Sequence, residues 1–359
     1  MVGFTRIQQL HSFNQEELNM IRLGLLGCGG MGAVHRQAIQ QLAGRATFTA
    51  AVDLELERAQ ETAALLGCSL ATTDYREAIP VIDAAIVAVP HHLHHPVGME
   101  LLAARKHVLM EKPLANSEAE CLALIAAAEA ADVTLMVAYC MRFHPLLVEM
   151  ERLLKAKTYG DLFQLSIWTE QHTEREPGSW IHRKATLGGG QLFSHGCHYI
   201  DILLAWMGEP VSGTHIGTNF GTPWMEGEGT SNVALKFANG ALGYHFGTWG
   251  ARGTRLQYSF HAHCTQGMLE AQVTQGRLIL HKGAEEDAIG TETVIFTADP
   301  GKHVHSELIH FVDCLETGQR PLTDGRHSLQ SLRVIWQLYA AEEQGVVADL
   351  RGLGMDRVR

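Results

Sequence analysis

Apolar residues in the first third of the chain come in short, unbroken runs. Ile21 to Leu26, Thr47 to Val52, Asp83 to Val89, His107 to Met110 and Thr134 to Tyr139 each have the length of a buried strand. Stretches rich in alanine and leucine, of helical length, lie between them. One of these opens with Ser117-x-x-Glu120, the spacing of a capping box. Uninterrupted apolar strands alternating with helices predict a parallel sheet covered on both faces. After about residue 145 the pattern changes. A helix over 145–156 leads into a strand over 162–168, a loop carrying Pro177 and Gly178, and a helix that starts at Gly188-Gly189-Gly190 and runs to about Trp206. From 211 to 297 the runs are strand-like, and Ser231 to Phe237 and Tyr258 to His263 alternate apolar with polar residues. Alternation of that kind predicts an open antiparallel sheet with one buried face. Asn239-Gly240 marks a tight hairpin between two of the strands. Helices over 304–317 and 326–344 close the chain.

The junction of the first strand and the helix after it carries chemistry. Gly27, Gly29 and Gly32 give G-x-G-x-x-G, with Gly30 and Met31 inside the loop. The first glycine permits a tight turn, the second lets backbone approach a pyrophosphate, and the third allows close helix–strand packing. Asp53 closes the second strand about 20 residues past the last glycine, where a ribose-binding acid belongs. A carboxylate there accepts hydrogen bonds from a ribose 2′-hydroxyl and repels a 2′-phosphate, so NAD is expected over NADP. Arg58 either reaches such a phosphate or is a solvated charge on the next helix. The fold class is therefore α/β: a Rossmann dinucleotide-binding domain over 21–144, then an α+β domain with an open, mainly antiparallel sheet over 145–350, behind an N-terminal extension of residues 1–20.

Composition narrows the setting. Lys+Arg 28 against Asp+Glu 39 gives a net charge of −11, which disfavours nucleic acid or an anionic membrane as general partners. No apolar run is long enough to span a bilayer, and residues 1–20 lack the apolar stretch of a secretory signal. The seven cysteines are scattered without a C-x-x-C pair and read as buried thiols of a reducing, cytoplasmic setting.

Further candidates lie where parallel strands end. Glu111-Lys112-Pro113 follows one strand, at the edge where open α/β sheets bind ligands. Lys112 is either a surface lysine or a group beside the nicotinamide whose proton affinity is tuned by desolvation. His195 and His198 are three apart on a predicted helix, with Asp201 three further on the same face. They are either core histidines or proton acceptors for a hydroxyl that loses hydride. Their spacing also suits a metal, but no third and fourth ligand is evident, and none is expected. His91, His92, His94 and His95 sit on a strand-to-helix turn and point different ways, so one or two of them flank the cofactor. Arg142 either holds a polar substrate group or makes a structural ion pair. The loop with Trp180, His182, Arg183 and Lys184 suits a sugar face and its hydroxyls, or is merely solvated.

Together these residues closely resemble the Gfo/Idh/MocA family (glucose–fructose oxidoreductase, inositol dehydrogenase, rhizopine catabolism). The resemblance covers about 21 to 350 and rests on the glycine loop, Ala88-Val89-Pro90 with His94, Glu111-Lys112-Pro113, Met141-Arg142-Phe143, and Gly188-Gly189-Gly190 through Gly196-x-His198-x-Ile200-Asp201. It implies a cofactor site of Gly27, Gly29, Gly30, Met31, Gly32, Asp53, Val89, Pro90, His94, Glu111 and Lys112. It implies catalysis by Lys112 and His198, and a carbohydrate or cyclitol substrate met by Arg142, Trp180, Arg183, Ser194, His195 and His198. It also implies a homodimer or homotetramer built through the open sheet. One departure stands out: the family's helix carries an aspartate four residues before the histidine, and here that position is Ser194. Ser194-His195-Gly196 resembles instead the Thr-His-Gly stretch of the family's NAD-dependent glycosidases, with His195 as a further acid/base. The expected function is an NAD-dependent sugar or cyclitol dehydrogenase. A redox-neutral glycosidase is the alternative, and a dinucleotide-sensing regulator a second one.

Overall fold

The computed structural model describes residues 20–42, 44–255, 257–283 and 291–353. Apart from Met20, the expected N-terminal extension lies outside them. Six parallel strands form the first sheet: β1 (Ile21–Leu26), β2 (Ala46–Val52), β3 (Leu70–Thr72), β4 (Ala84–Val87), β5 (His107–Met110) and β6 (Leu135–Val137). Their order is β3-β2-β1-β4-β5-β6. The order reverses between β1 and β4, and the crevice at their C-terminal ends is where such a sheet holds its ligand. Neighbouring residues of one strand enter different clusters. Leu25, Ile86 and Leu109 pack on one face, and Leu26, Val87 and Val108 on the other. That is why the apolar runs are unbroken.

Helices α1 (Gly30–Ala38), α2 (Leu56–Leu66), α3 (His94–Ala103) and α4 (Glu118–Ala131) connect these strands. Ser117 caps α4 by accepting the Glu120 N–H at 3.3 Å, as the capping-box spacing predicts. Helix α5 (Pro145–Lys155) starts with His144 accepting the Leu146 N–H at 3.2 Å.

The second sheet has nine strands: β7 (Leu162–Glu170), β8 (Pro210–Thr218), β9 (Thr230–Phe237), β10 (Leu242–Thr248), β11 (Tyr258–Cys264), β12 (Gly267–Gln272), β13 (Arg277–Lys282), β14 (Thr291–Thr297) and β15 (Ala348–Asp349). The order is β14-β13-β12-β11-β7-β10-β9-β8-β15, antiparallel throughout except for β7 beside β10. Helix α6 (Cys197–Met207) lies against its inner face, where a Cβ on Gly243 would meet Leu203 at 3.0 Å. The outward face carries Trp168 against Tyr244 and Phe246, with ring centroids 5.6 and 5.5 Å apart, and an exposed Leu242.

After this sheet the chain returns to the first one. Helix α7 (Val304–Thr317) packs Leu308, Phe311 and Val312 against the cluster of Leu23 and Phe48. Helix α8 (Gly325–Gln344) then runs beside α6. The helix expected from Gly188 to about Trp206 is divided. Gly188 to Gly190 form a turn, Leu192–Gly196 a single π turn, and only then does α6 begin. All seven cysteines are free thiols, and no helix among the described residues is long and apolar enough to cross a membrane.

Candidate functional site

The glycine loop has the shape its spacing requires. Gly27 has φ +92°, and a Cβ there would meet the Ala88 carbonyl oxygen at 2.4 Å. A Cβ on Gly32 would lie 2.0 Å from the Gly27 oxygen, so α1 packs too closely on β1 for any side chain. Gly29 and Gly30 face open space, with nothing within 4 Å of a Cβ. The loop is thus closed behind and open in front, the cradle that a pyrophosphate at a helix N-terminus needs. Asp53 stands beside it: one carboxylate oxygen accepts the Cys28 N–H at 2.9 Å and the other the Glu55 N–H at 3.0 Å. Arg58 is not a free solvated charge. It bridges Asp53 at 3.2 Å and Glu55 at 2.6 Å.

The far wall of the crevice is built from strand ends. Buried His94 contacts the Pro113 carbonyl at 2.7 Å and the Val89 carbonyl at 3.0 Å, tying together the two loops that follow β4 and β5. Burial holds its imidazole below the ordinary range although both carbonyls pull the other way. Its neighbour His91 contacts the Leu187 carbonyl at 2.8 Å, while His92 is exposed. Among the described residues no group of three or more histidines, cysteines or acids is arranged to hold a metal ion. Buried Glu111 pairs with His35 of α1 at 2.9 Å and accepts the Lys112 N–H at 3.2 Å. The acid at the end of β5 therefore anchors the glycine-loop helix.

Lys112, preceding a cis proline, sends its Nζ to the Ser194 carbonyl at 2.8 Å. This bond joins the edge of the first sheet to the π turn. The π turn carries Ser194 and His195, and His198 follows on α6 with its ring centroid 6.0 Å from that of His195. Both rings are buried. The Gln191 side chain touches His195 Nδ1 at 3.4 Å, whereas His195 Nε2 and His198 Nδ1 have no partner among the described residues. Burial first, then the positive charges of Lys302 and of the neighbouring groups, hold His195 far below the ordinary imidazole range. At His198 burial, Lys112 and Lys302 act in that order to the same end. At neutral pH the site thus presents two neutral imidazoles with free nitrogen positions beside a lysine ammonium. That arrangement can polarise a hydroxyl and accept its proton.

The π turn is held from behind. The Tyr339 hydroxyl accepts the N–H groups of Gly190 at 3.3 Å and Phe193 at 3.2 Å, and donates to Glu228 at 2.6 Å. Glu228 in turn accepts the Leu192 N–H at 3.0 Å. A side chain on Gly190, two residues before the π turn, would collide with the Glu228 carboxylate at 2.0 Å, which is why that position is glycine.

The remaining candidates have partners other than the two histidines. Arg142 is buried and paired with Asp201 at 3.2 Å, and it touches His327 at 3.0 Å. His327 also meets Asp201 at 2.7 Å, so this guanidinium is already neutralised within the protein. Trp180 packs on His91 with centroids 4.6 Å apart, seating its loop on the turn after β4, and Arg183 is exposed. Two residues that the sequence pattern does not single out bear on the charge of the site. Lys302, exposed on the loop before α7, is one of the positive charges that lower both histidines. Glu307 on α7 is fully buried with both carboxyl oxygens unpartnered among the described residues, and burial, with the charge of Glu111, pushes it well above the usual carboxyl range. Glu307 had a signal: it interrupts the apolar stripe of Val304, Leu308 and Phe311. Lys302 had none, since a lysine in a turn is unremarkable.

Residues 21–139 match an oxidoreductase family with an NAD-binding Rossmann fold, GFO_IDH_MocA, and residues 147–270 match the GFO/IDH/MocA C-terminal domain. Among characterised relatives, a D-xylose 1-dehydrogenase (NADP(+)) of Haloferax volcanii is 27% identical over 341 residues, covering 91% of this chain and 99% of the relative. A 2,7-anhydro-N-acetylneuraminate hydratase of Escherichia coli is 27% identical over 290 residues, covering 75% of each. A levoglucosan dehydrogenase solved with NADH and levoglucosan shares the fold, with a TM-score of 0.83 at 20% identity over 92% of this chain and 99% of that one.

Proposed function

The chain belongs to the Gfo/Idh/MocA oxidoreductase family, and on that premise we propose that it is an NAD-dependent dehydrogenase acting on a ring hydroxyl of a sugar, sugar derivative or cyclitol. The observation that carries this reading is the Lys112–Ser194 bond, which sets an ammonium at the cofactor edge beside two neutral imidazoles, each with one ring nitrogen left without a partner among the described residues. Bound NAD would supply the hydride acceptor. Lys112 then orients and polarises the hydroxyl, and His198 takes its proton. His195 flanks the ring carbon, and Gln191 holds its imidazole in place. The xylose dehydrogenase relative supports the substrate class. A panel of sugars and cyclitols, followed by NADH absorbance, tests the proposal. One NADH per sugar oxidised is the expected stoichiometry.

A second reading is favoured by one observation: Ser194 leaves the usual acid position without charge, and His195 offers a second neutral base directly after it. That set suits oxidation, elimination, hydration and re-reduction of a glycoside with no net change of cofactor. The hydratase relative is consistent with it.

The cofactor assignment makes its own prediction. Arg58 is occupied by two carboxylates, so it offers little to a 2′-phosphate, and Asp53 is held beside the glycine loop by two backbone N–H groups. Asp53→Ala is expected to weaken NAD binding and to relax discrimination against NADP, measured by titration of each cofactor. Tighter binding of NADP than NAD by the wild type would contradict the role given to Asp53.

The outward sheet face predicts assembly. Trp168, Tyr244, Phe246 and Leu242 form an apolar surface of the kind that a second subunit covers. Light scattering is expected to show a dimer or tetramer, and Leu242→Asp to shift it towards monomer. A monomeric wild type at micromolar concentration would exclude the interface.

A further inference from the structure

A buried tyrosine hydroxyl usually finds a hydrogen-bond partner, because its lost hydration is otherwise uncompensated. Tyr139 and Tyr339 follow this rule. The first meets Ser328 and Ser331, each at 3.1 Å, and the second donates to Glu228 at 2.6 Å. Tyr258 does not. It is only 9% exposed, and its hydroxyl has no partner among the described residues. Its position is well determined. It opens β11, paired with Thr169 of β7, and its ring centroid lies 5.9 Å from that of His195 and 6.4 Å from that of Tyr199. Tyr199 in turn stacks on His245 of β10 at 5.2 Å, and His245 Nε2 meets Thr169 Oγ1 at 3.2 Å. The tyrosine ring is therefore seated among side chains anchored on β7, β10 and α6.

The unpartnered hydroxyl has company. His195 and His198 meet edge to face with centroids 6.0 Å apart. Each leaves one ring nitrogen without a partner among the described residues, Nε2 of His195 and Nδ1 of His198. His195 thus touches both Tyr258 and His198, and the three rings carry three unpartnered polar atoms in one buried cluster. The π turn that carries His195 is also the segment that Lys112 reaches, through the Ser194 carbonyl at 2.8 Å. Three such atoms on rings in mutual contact are the wall of a site that a polar ligand completes. A sugar hydroxyl is both donor and acceptor. One hydroxyl can accept from the Tyr258 O–H and still satisfy His195 Nε2 in either tautomer. A second, the one that loses its proton, is assigned to Lys112 and His198. Because the two imidazoles are in contact, the two hydroxyls they serve belong on neighbouring carbons.

We propose that Tyr258 is a substrate-binding residue: with His195 it holds a free hydroxyl on the ring carbon next to the one oxidised, so the substrate is a vicinal diol. The proposal rests on the dehydrogenase reading for which hydroxyl reacts, but not for the binding of its neighbour. A sugar that lacks the flanking hydroxyl leaves Tyr258 and His195 buried and unpartnered in the complex. That omission costs about five- to a hundredfold in affinity, the range for buried polar groups left without partners.

The test uses the full chain with NADH bound. D-Glucose and myo-inositol, each with its series of monodeoxy counterparts, are titrated by NADH fluorescence into wild type and Tyr258→Phe. Hydride transfer with NAD is followed for the same panel, and the oxidised carbon is read from the product. Tyr258→Phe should weaken binding of the parent by about three- to tenfold, the worth of one neutral hydrogen bond. One monodeoxy counterpart, the one lacking the flanking hydroxyl, should bind wild type and Tyr258→Phe alike. The counterpart lacking the reacting hydroxyl should still respond to the substitution as the parent does. Thermal unfolding of Tyr258→Phe should match wild type, since no hydrogen bond within the protein is lost. Unchanged binding of every sugar by Tyr258→Phe overturns the proposal. Equal weakening of the parent and all its counterparts does so too, and with a lowered unfolding temperature it makes Tyr258 a packing residue. Coupling to a carbon that is not next to the ketone overturns the vicinal diol. The two proposals fail separately. Coupling between Tyr258 and one hydroxyl, with hydride exchanged by no sugar, keeps this site and fails the dehydrogenase reading. Hydride exchange without that coupling does the reverse, and a wild type that binds no member of the panel overturns both.

Discussion

Lys112→Ala is expected to lower kcat by at least about a hundredfold, the low end for a positioned proton-transfer group, while NAD still binds. The cofactor cradle does not depend on this side chain: its turn is set by Gly27, Gly29 and Gly32, and Asp53 closes it. What the substitution removes is the ammonium that reaches the Ser194 carbonyl at 2.8 Å. The loss has two parts, because the same bond joins the first sheet to the π turn. Lys112→Met keeps much of the side chain's volume and removes the charge. It should match the alanine variant in kcat if charge is what matters. Lys112→Arg restores charge with the wrong shape and should recover only part of the rate. Thermal unfolding of all three separates a lost structural tie from a lost catalytic group. Near-normal turnover in Lys112→Ala, with intact cofactor binding, removes the residue from the mechanism.

The first sheet was legible because burial on both faces leaves a simple trace: Leu25 and Leu26 face opposite ways and both must be apolar. The glycine loop was legible because each glycine answers a steric demand that no other residue meets, as the 2.0 Å approach at Gly32 illustrates. The alternation of the second sheet was legible too, but not its one parallel pair. Asn239-Gly240 specifies the β9–β10 hairpin locally, whereas β7 meets β10 from a point far away in the chain. The same distance hid the fate of Arg142, whose partner His327 lies on α8, 185 residues on. The return of α7 to the first sheet was hidden for that reason as well, and with it the places of Lys302 and Glu307. The π turn has no signature of its own. It exists because Glu228 and Tyr339, remote in sequence, capture the N–H groups of residues 190, 192 and 193.

The two histidines separate the two enzymatic readings. In a plain dehydrogenase, His198→Ala should cripple hydride transfer, since the proton then has no acceptor, and His195→Ala should act mainly on KM. In a glycosidase, His195→Ala should still allow partial oxidation of bound sugar, seen as enzyme-bound NADH, yet block release of the aglycone. Both rings are held neutral by burial and by the ammoniums of Lys112 and Lys302. A base with depressed proton affinity stays competent as pH falls, so the acid limb of kcat/KM should lie below the ordinary imidazole value of about 6.5. Lys302→Met should move that limb upwards. Deuterium from solvent gives an independent measurement. Elimination requires the proton next to the oxidised carbon to leave, so a glycosidase incorporates deuterium there, and simple hydride transfer does not. Product free of deuterium, with one NADH formed per sugar, excludes the glycosidase and leaves His195 as a binding residue. Deuterated product with no accumulated NADH excludes the plain dehydrogenase and makes His195 the base that starts elimination.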